Sequence, residues 1–225
     1  MPLPKPLLQV VDHPALSDRL ARLRDRETPT AQFRTLVEEL GGFLAYEATR
    51  ELPMEPRTVR TPLTETTAYR IAARPVVAPI LRAGLGLLPG FLGVIGDAVV
   101  AHLGFYRDPQ TLLPVSYYAN VPEDLSERHV FVLDPMLATG HSGTAALEAL
   151  QTRGAKNVTF VCIIAAPEGV EVLHRAHPTT RIVTASLDER LNDHGYIVPG
   201  LGDAGDRMFG STSSVPVSVR VSARP

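Results

Sequence analysis

Val130-Phe-Val-Leu-Asp-Pro-Met-Leu-Ala-Thr-Gly-His-Ser-Gly-Thr144 decides the fold of this chain. Its first four residues form a short apolar run suited to a strand covered on both faces. Asp134 then places a carboxylate at the strand's end. Ala138, Thr139, Gly140 and Ser142 carry little bulk, so backbone N–H groups can approach an anion, and two hydroxyls add donors. Ala145, Leu147, Ala149 and Leu150 are good helix formers. A helix is therefore expected from near Ser142 to a stop at Gly154, its positive end facing the loop. Strand, acidic tip, anion cradle and helix together suit a phosphorylated sugar, with the carboxylate towards hydroxyls and amides towards phosphate. No Gly-Lys-Ser/Thr follows the loop, which argues against kinase-like use. Read by its glycines alone, the loop would be an ordinary βα turn with Ser142 as a cap.

The surrounding chain has the rhythm such a unit needs. From Arg74 onward, strands are predicted at Pro75–Leu81, Ala98–Gly104, Val130–Asp134, Val158–Ala166 and Ile182–Ser186, with helices near Leu87–Val94, up to Arg153, and at Val170–Ala176. The alternation predicts an α/β fold, a mainly parallel sheet flanked by helices, with ligands beyond the carboxyl ends of the strands. Arg82, Arg107 and Asp134 all fall there. Before the sheet, residues 15–52 read as an N-terminal helical region. Phe33, Leu36, Val37, Leu40, Phe43 and Leu44 form one apolar stripe, Thr28-Pro29 a start and Pro53 a stop. The stripe reads as core or subunit interface. Asp108–Arg128 breaks the rhythm with three prolines and an alternating Leu113–Ala119, so it reads equally as a hairpin arm serving as lid and as a passive surface excursion.

With 225 residues and 24.3 kDa, the chain can bury one sizeable core. A net charge of −2 suggests no polyanion-binding face, so nucleic acid is not an expected partner. Lysine occurs only at Lys5 and Lys156. The single cysteine, Cys162, lies in an apolar run and reads as a buried, inert core residue. No signal peptide is evident, and the apolar region Leu85–Phe105 is broken by glycines, Pro89 and Asp97. A cytoplasmic protein without a membrane span is expected. His174 and His177 could share a helix face, but no matching ligand stands nearby, so no protein metal site is expected.

Asp134-Pro-Met-Leu-Ala-Thr-Gly140 resembles the phosphoribosyl pyrophosphate (PRPP) motif of the phosphoribosyltransferases, in the uracil-type form. Three further strings match that family in order: Pro79-Ile-Leu-Arg-Ala-Gly-Leu-Gly86, Gly104-Phe-Tyr-Arg-Asp108 and the glycine-rich Leu191–Gly210. Shorter matches at His13-Pro14, Tyr46–Arg50 and Thr61-Pro62 extend the resemblance over nearly the whole chain. It implies a single phosphoribosyltransferase domain of the type I fold and the reaction of uracil with PRPP to give UMP and pyrophosphate. Arg82, Arg107, Asp134, Pro135, Met136, Leu137, Ala138, Thr139, Gly140, His141, Ser142 and Asp203 are the implied PRPP contacts. Ile197, Gly202, Asp203 and Ala204 are the implied uracil contacts, with Asp134, Arg107 and Asp203 nearest the chemistry. Arginine suits pyrophosphate because its fork donates two bonds without losing charge. A glycine-rich main chain can offer uracil's carbonyls and N–H their complements at close range.

The resemblance further implies Mg²⁺ brought by the substrate, a homo-oligomer, and GTP as an effector that some members use. Pro135, where many relatives of other specificity carry a second acid, favours the uracil branch. His141 departs from the usual second glycine. If that position needed positive φ, histidine would cost free energy there. Residues 211–225 form a tail beyond the family's usual end, expected to be loosely packed. Two alternatives remain at this point: a transferase for another base such as xanthine or hypoxanthine, and an RNA-binding pyrimidine regulator on the same fold.

Overall fold

A computed structural model describes residues 7–107 and 114–211, and the side chain of Arg107 falls outside that description. Residues 108–113, the first of the expected lid, and the tail from 212 onward also lie outside it. In chain order, β1 (Leu8–Val10) precedes two helices, α1 (Pro14–Arg24) and α2 (Thr30–Ala48), and then an antiparallel hairpin of β2 (Met54–Arg60) and β3 (Glu65–Ile71). Next comes β4 (Val76–Leu81), a 3-10 turn (Ala83–Gly86), α3 (Leu88–Val94), β5 (Val99–Val100) and β6 (His102–Arg107). β7 (Pro114–Asn120), β8 (His129–Leu133), β9 (Met136–Leu137), α4 (His141–Gln151) and β10 (Asn157–Ala165) follow. The described chain closes with α5 (Pro167–Ala176), β11 (Arg181–Leu187), β12 (Arg190–Leu191), β13 (Ile197–Val198) and α6 (Ala204–Phe209).

The main sheet runs β1-β11-β10-β8-β4-β6-β7, parallel throughout except for the β6–β7 pair. Side chains along its strands alternate between two cores, as the period-two geometry of a strand requires. Val77, Phe131, Leu133, Val161, Ile163 and Val183 face α1, α2, α3 and α6. Val76, Val130, Val132, Phe160, Cys162 and Ile182 face α4 and α5. The apolar stripe of α2 is core: Phe33, Val37, Leu40 and Leu44 are fully buried. Truncating one of these leucines to alanine should cost about 2–5 kcal/mol. α2 lies close on the α3 region because Gly41 and Gly90 leave room. A Cβ on Gly41 would sit 2.7 Å from the Leu87 carbonyl, and one on Gly90 would sit 2.0 Å from that of Glu38.

The expected strands and helices are present within a few residues. The hairpin of β2 and β3 was not foreseen: Thr61 organises its turn, accepting from the amides of Leu63 and Thr64, and Leu63 at the tip is 96% exposed. Residues 114–120, expected as part of an arm, form an antiparallel hairpin with β6 at the sheet edge. Cys162 is buried, and burial pushes its thiol up to about 12, as expected for an inert cysteine. Among the described residues, no helix is long and apolar enough to cross a membrane.

Candidate active site

The chain leaves β4 through α3 towards β6 on one side of the sheet, and leaves β8 through α4 towards β10 on the other. β4 and β8 are neighbours, so their carboxyl ends flank the point where the topology reverses, which opens a crevice in such sheets. Arg82 follows β4 and Asp134 follows β8, so the crevice lies between the two loops that the sequence singled out.

Beyond β8 the chain steps aside for two residues and resumes as β9. Both strands pair with β10 in one register, Val161 opposite Leu133 and Ile164 opposite Met136. The interruption is held by backbone bonds: the Asp134 amide donates to Val161, and the Pro135 carbonyl accepts from Ile163 and Ile164. Asp134 is thereby left half-buried at the floor of a cavity of about 140 Å³. Its walls are Met136 through Gly140, Ser142, Gly143, Phe160 and Gly195. Burial pushes the Asp134 carboxyl up to about 7; the Met136 amide works against this, and the nearby charge of Asp203 adds to it.

Gly140 carries the turn into α4. Its φ is +81°, and a Cβ there would also meet the Gly169 carbonyl at 2.8 Å. The demand for positive φ thus falls on Gly140. His141 is the first residue of α4, helical and exposed, so its substitution for glycine carries no backbone penalty. The first-turn amides of α4 have no intrahelical partner and point into the cradle, where the helix's positive end also lies. Gly169 in α5 backs the loop closely; a Cβ on it would lie 2.3 Å from the Ala138 carbonyl.

The glycine-rich segment forms a small hairpin of β12 and β13, then a turn, then α6. Gly195 at the hairpin tip lines the cavity beside Thr139. Ile197 and Ala204 are buried in the same core as Met136 and Ala138, whereas Gly202 and Asp203 are exposed. Gly202 has φ +79°. Asp203 caps α6, its carboxylate accepting from the Asp206 amide at 2.8 Å. Arg82 is exposed after a cis Leu81–Arg82 peptide, and its guanidinium lies 5.6 Å from the centre of the Phe209 ring on α6. The structure therefore gathers Asp134, Met136–Gly140 and Ser142 into one cavity, whereas Pro135 is buried and His141 lies outside its walls. Asp203 lies close enough to act on Asp134, and Arg82 is tied to the helix that Asp203 begins. Arg82, Ile197, Gly202, Asp203 and Ala204 are not among the walls of that cavity. Arg107 ends β6 at the edge of the crevice.

Sequence reasoning overlooked a polar knot beneath the glycine-rich segment. Asp188, just past β11, is bonded by both terminal guanidinium nitrogens of Arg24, by the Ser186 hydroxyl and by the Gly200 amide. Burial works to raise this carboxyl, but Arg24, Ser186 and Gly200 outweigh it and hold it below the ordinary carboxylate value. An acid just beyond a predicted strand's carboxyl end was the available signal, the same one that marked Asp134.

A larger cavity, about 500 Å³, lies at the opposite end of β4 and is lined by Arg57, Arg70, Arg74 and Asp97 among others. It lies at the wrong end of the strands to serve the crevice.

Comparison with known proteins agrees with this geometry. The sequence pattern of the family described as uracil phosphoribosyltransferase matches residues 10–211. A uracil phosphoribosyltransferase of Macrococcus caseolyticus is 53% identical over 205 residues, 91% of this chain and 98% of that protein. One from Geobacillus kaustophilus is 54% identical over 203 residues, 90% and 97% of the two chains. The solved structure of the AQ2163 protein from Aquifex aeolicus superposes with a TM-score of 0.87 at 37% identity, covering 92% of this chain and 100% of that one. The alternating sheet, the Asp134–Ser142 cradle and these relatives together place the chain in the uracil phosphoribosyltransferase family.

Proposed function

We propose that the loops around the crevice divide the substrates of the family reaction, in which uracil and PRPP give UMP and pyrophosphate. The observation that carries the assignment is the Asp134–Ser142 unit, with a carboxylate at the floor of a cavity and a helix start at its rim. The 5′-phosphate is assigned to Ala138–Ser142, where backbone amides meet it, and the ribose hydroxyls to Asp134. Arg82 and Arg107 are assigned to pyrophosphate, and Ile197 with Gly202–Ala204 to uracil. Asp203 is assigned to the junction of base and sugar. Bond breaking at C1′ builds positive charge on the sugar, so the main task of these groups is to hold uracil N1 in line with C1′.

Mg²⁺ is assigned to this site as a passenger on the substrate. Among the described residues, no group of three or more acids, histidines or cysteines could hold a metal. Asp134 and Asp203 would meet it through a substrate already carrying it, where its charge would ease departure of pyrophosphate. The same proposal includes a cytoplasmic location, one domain and a homo-oligomer, the last supported by the hairpin's exposed Met54, Leu63 and Tyr69. GTP as effector has a candidate place in the arginine-lined cavity, whose cations suit phosphate.

Formation of UMP from uracil and PRPP tests the reading. Well-folded protein that gives no UMP with Mg²⁺ present would sink it. Xanthine or hypoxanthine competing as substrates would revise the base.

A further inference from the structure

We propose that Arg24 and Asp188 are positioning residues for uracil, acting through the peptide groups of Gly200. The inference rests on the assignment of Gly202–Ala204 to the base. Gly200 sits two residues before that seat, after a cis Val198–Pro199 peptide, with φ +66°. Both faces of its backbone are held by the same ion pair. Its amide donates to Asp188 Oδ2 at 2.9 Å, and its carbonyl accepts from Arg24 Nη1 at 2.7 Å. The pair is closed on itself by Arg24 Nη1 to Asp188 Oδ2 at 2.7 Å and Nη2 to Oδ1 at 2.5 Å. Ser186 meets both partners, donating to Asp188 Oδ1 at 2.7 Å and accepting from Arg24 Nη2 at 3.1 Å.

Every acceptor on the Asp188 carboxylate is thus used, and its side chain is 1% exposed. A bidentate pair of this kind fixes orientation as well as distance. It joins three separate parts of the chain: the end of α1, the end of β11 and the turn that carries the base contacts. A second clamp runs alongside. Arg207 on α6 donates to the carbonyls of Leu201, Leu23 and Asp25. The seat for uracil is built of main chain, so its hydrogen-bond directions follow from where these clamps hold the backbone. The phosphate cradle hangs from a different strand, β8, and of the clamped segment only Gly195, at the far tip of the β12–β13 hairpin, lines it.

Steady-state kinetics on Asp188→Asn, Arg24→Lys and Ser186→Ala separate positioning from simple stability. Asp188→Asn should raise KM for uracil by about tenfold to a hundredfold, the scale of an ångström-sized misplacement. KM for PRPP should stay within about threefold, because the cradle is held separately. Arg24→Lys should lie between, since one ammonium cannot replace the fork. Ser186→Ala removes two bonds, one to each partner, but keeps the ion pair, and should raise uracil KM by about twofold to fivefold. Gly202→Ala serves as the control for the seat itself. If it raises uracil KM while all three clamp variants only lower the active fraction, with both KM values unchanged, the proposal is overturned and the seat stands. If neither Gly202→Ala nor the clamp variants move uracil KM, the seat assignment falls and takes the proposal with it.

Discussion

Replacing Asp134 by Asn should make the empty protein more stable while removing its activity. Burial and the charge of Asp203 carry the carboxyl from 3.8 to about 7 in the fold. At about 1.4 kcal/mol per tenfold change in proton affinity, holding it ionised there costs the fold up to about 4 kcal/mol. Water in the cavity screens part of this, so the net cost at pH 8 should be about 2–4 kcal/mol. The folded state binds the proton more tightly than the unfolded state. Between pH 3.8 and about 7 the fold therefore loses stability as pH rises, and above that window the loss is complete. Asn has the shape of the protonated acid and does not titrate. Urea unfolding of both proteins should show nearly equal stability near pH 4, a gap of about 1 kcal/mol at pH 5, and the full gap by pH 8. A gap that does not change with pH, or a variant less stable than wild type at pH 8, would refute the reasoning. UMP formation by the variant should fall sharply, since an amide cannot accept from ribose hydroxyls as a carboxylate does.

Gly140→Ala should raise KM for PRPP by at least about tenfold and destabilise the fold by about 1–3 kcal/mol, because φ is +81° and the Gly169 carbonyl stands in the way. Parallel kinetic and thermal measurements check both effects. His141→Gly should change stability by no more than about 0.5 kcal/mol, since the residue is helical; a gain of about 1 kcal/mol in urea unfolding would place the strain at His141 after all. Phe209→Ala should raise KM for PRPP by about twofold to fivefold through loss of the ring under Arg82, with Phe209→Tyr near wild type. Equal kinetics for both variants would show that Arg82 does not need the ring.

The strands and the cradle were legible because each is a local pattern. Val130–Leu133 is apolar without interruption, Asp134 ends the run, and small residues precede good helix formers, so the order of elements follows from neighbours in sequence. The β2–β3 hairpin was harder to see, because Pro56 interrupts the alternation and most of its side chains are exposed. The clamp on Gly200 was beyond reach in a different way. Arg24 and Asp188 are 164 positions apart, and each alone is an ordinary charge. Only their meeting under Gly200 gives them a task. The positive φ weighed for His141 falls one residue earlier, on Gly140, because the sharp turn precedes the helix instead of opening it.

The close approach of Gly140 and Gly169 has a consequence for reading tolerance maps of this protein. In a saturation library selected for growth on uracil, Gly169 should reject every other residue as firmly as the cradle does. A Cβ there would collide with the carbonyls of Leu137 and Ala138, at 2.7 and 2.3 Å. Yet Gly169 is assigned no substrate contact, and its intolerance would arise wholly from the backbone it supports. Equating rejection with chemistry would place it among the reacting groups. Sorting the library by substrate affinity and by protein abundance would return it to its proper class, as a support behind the cradle.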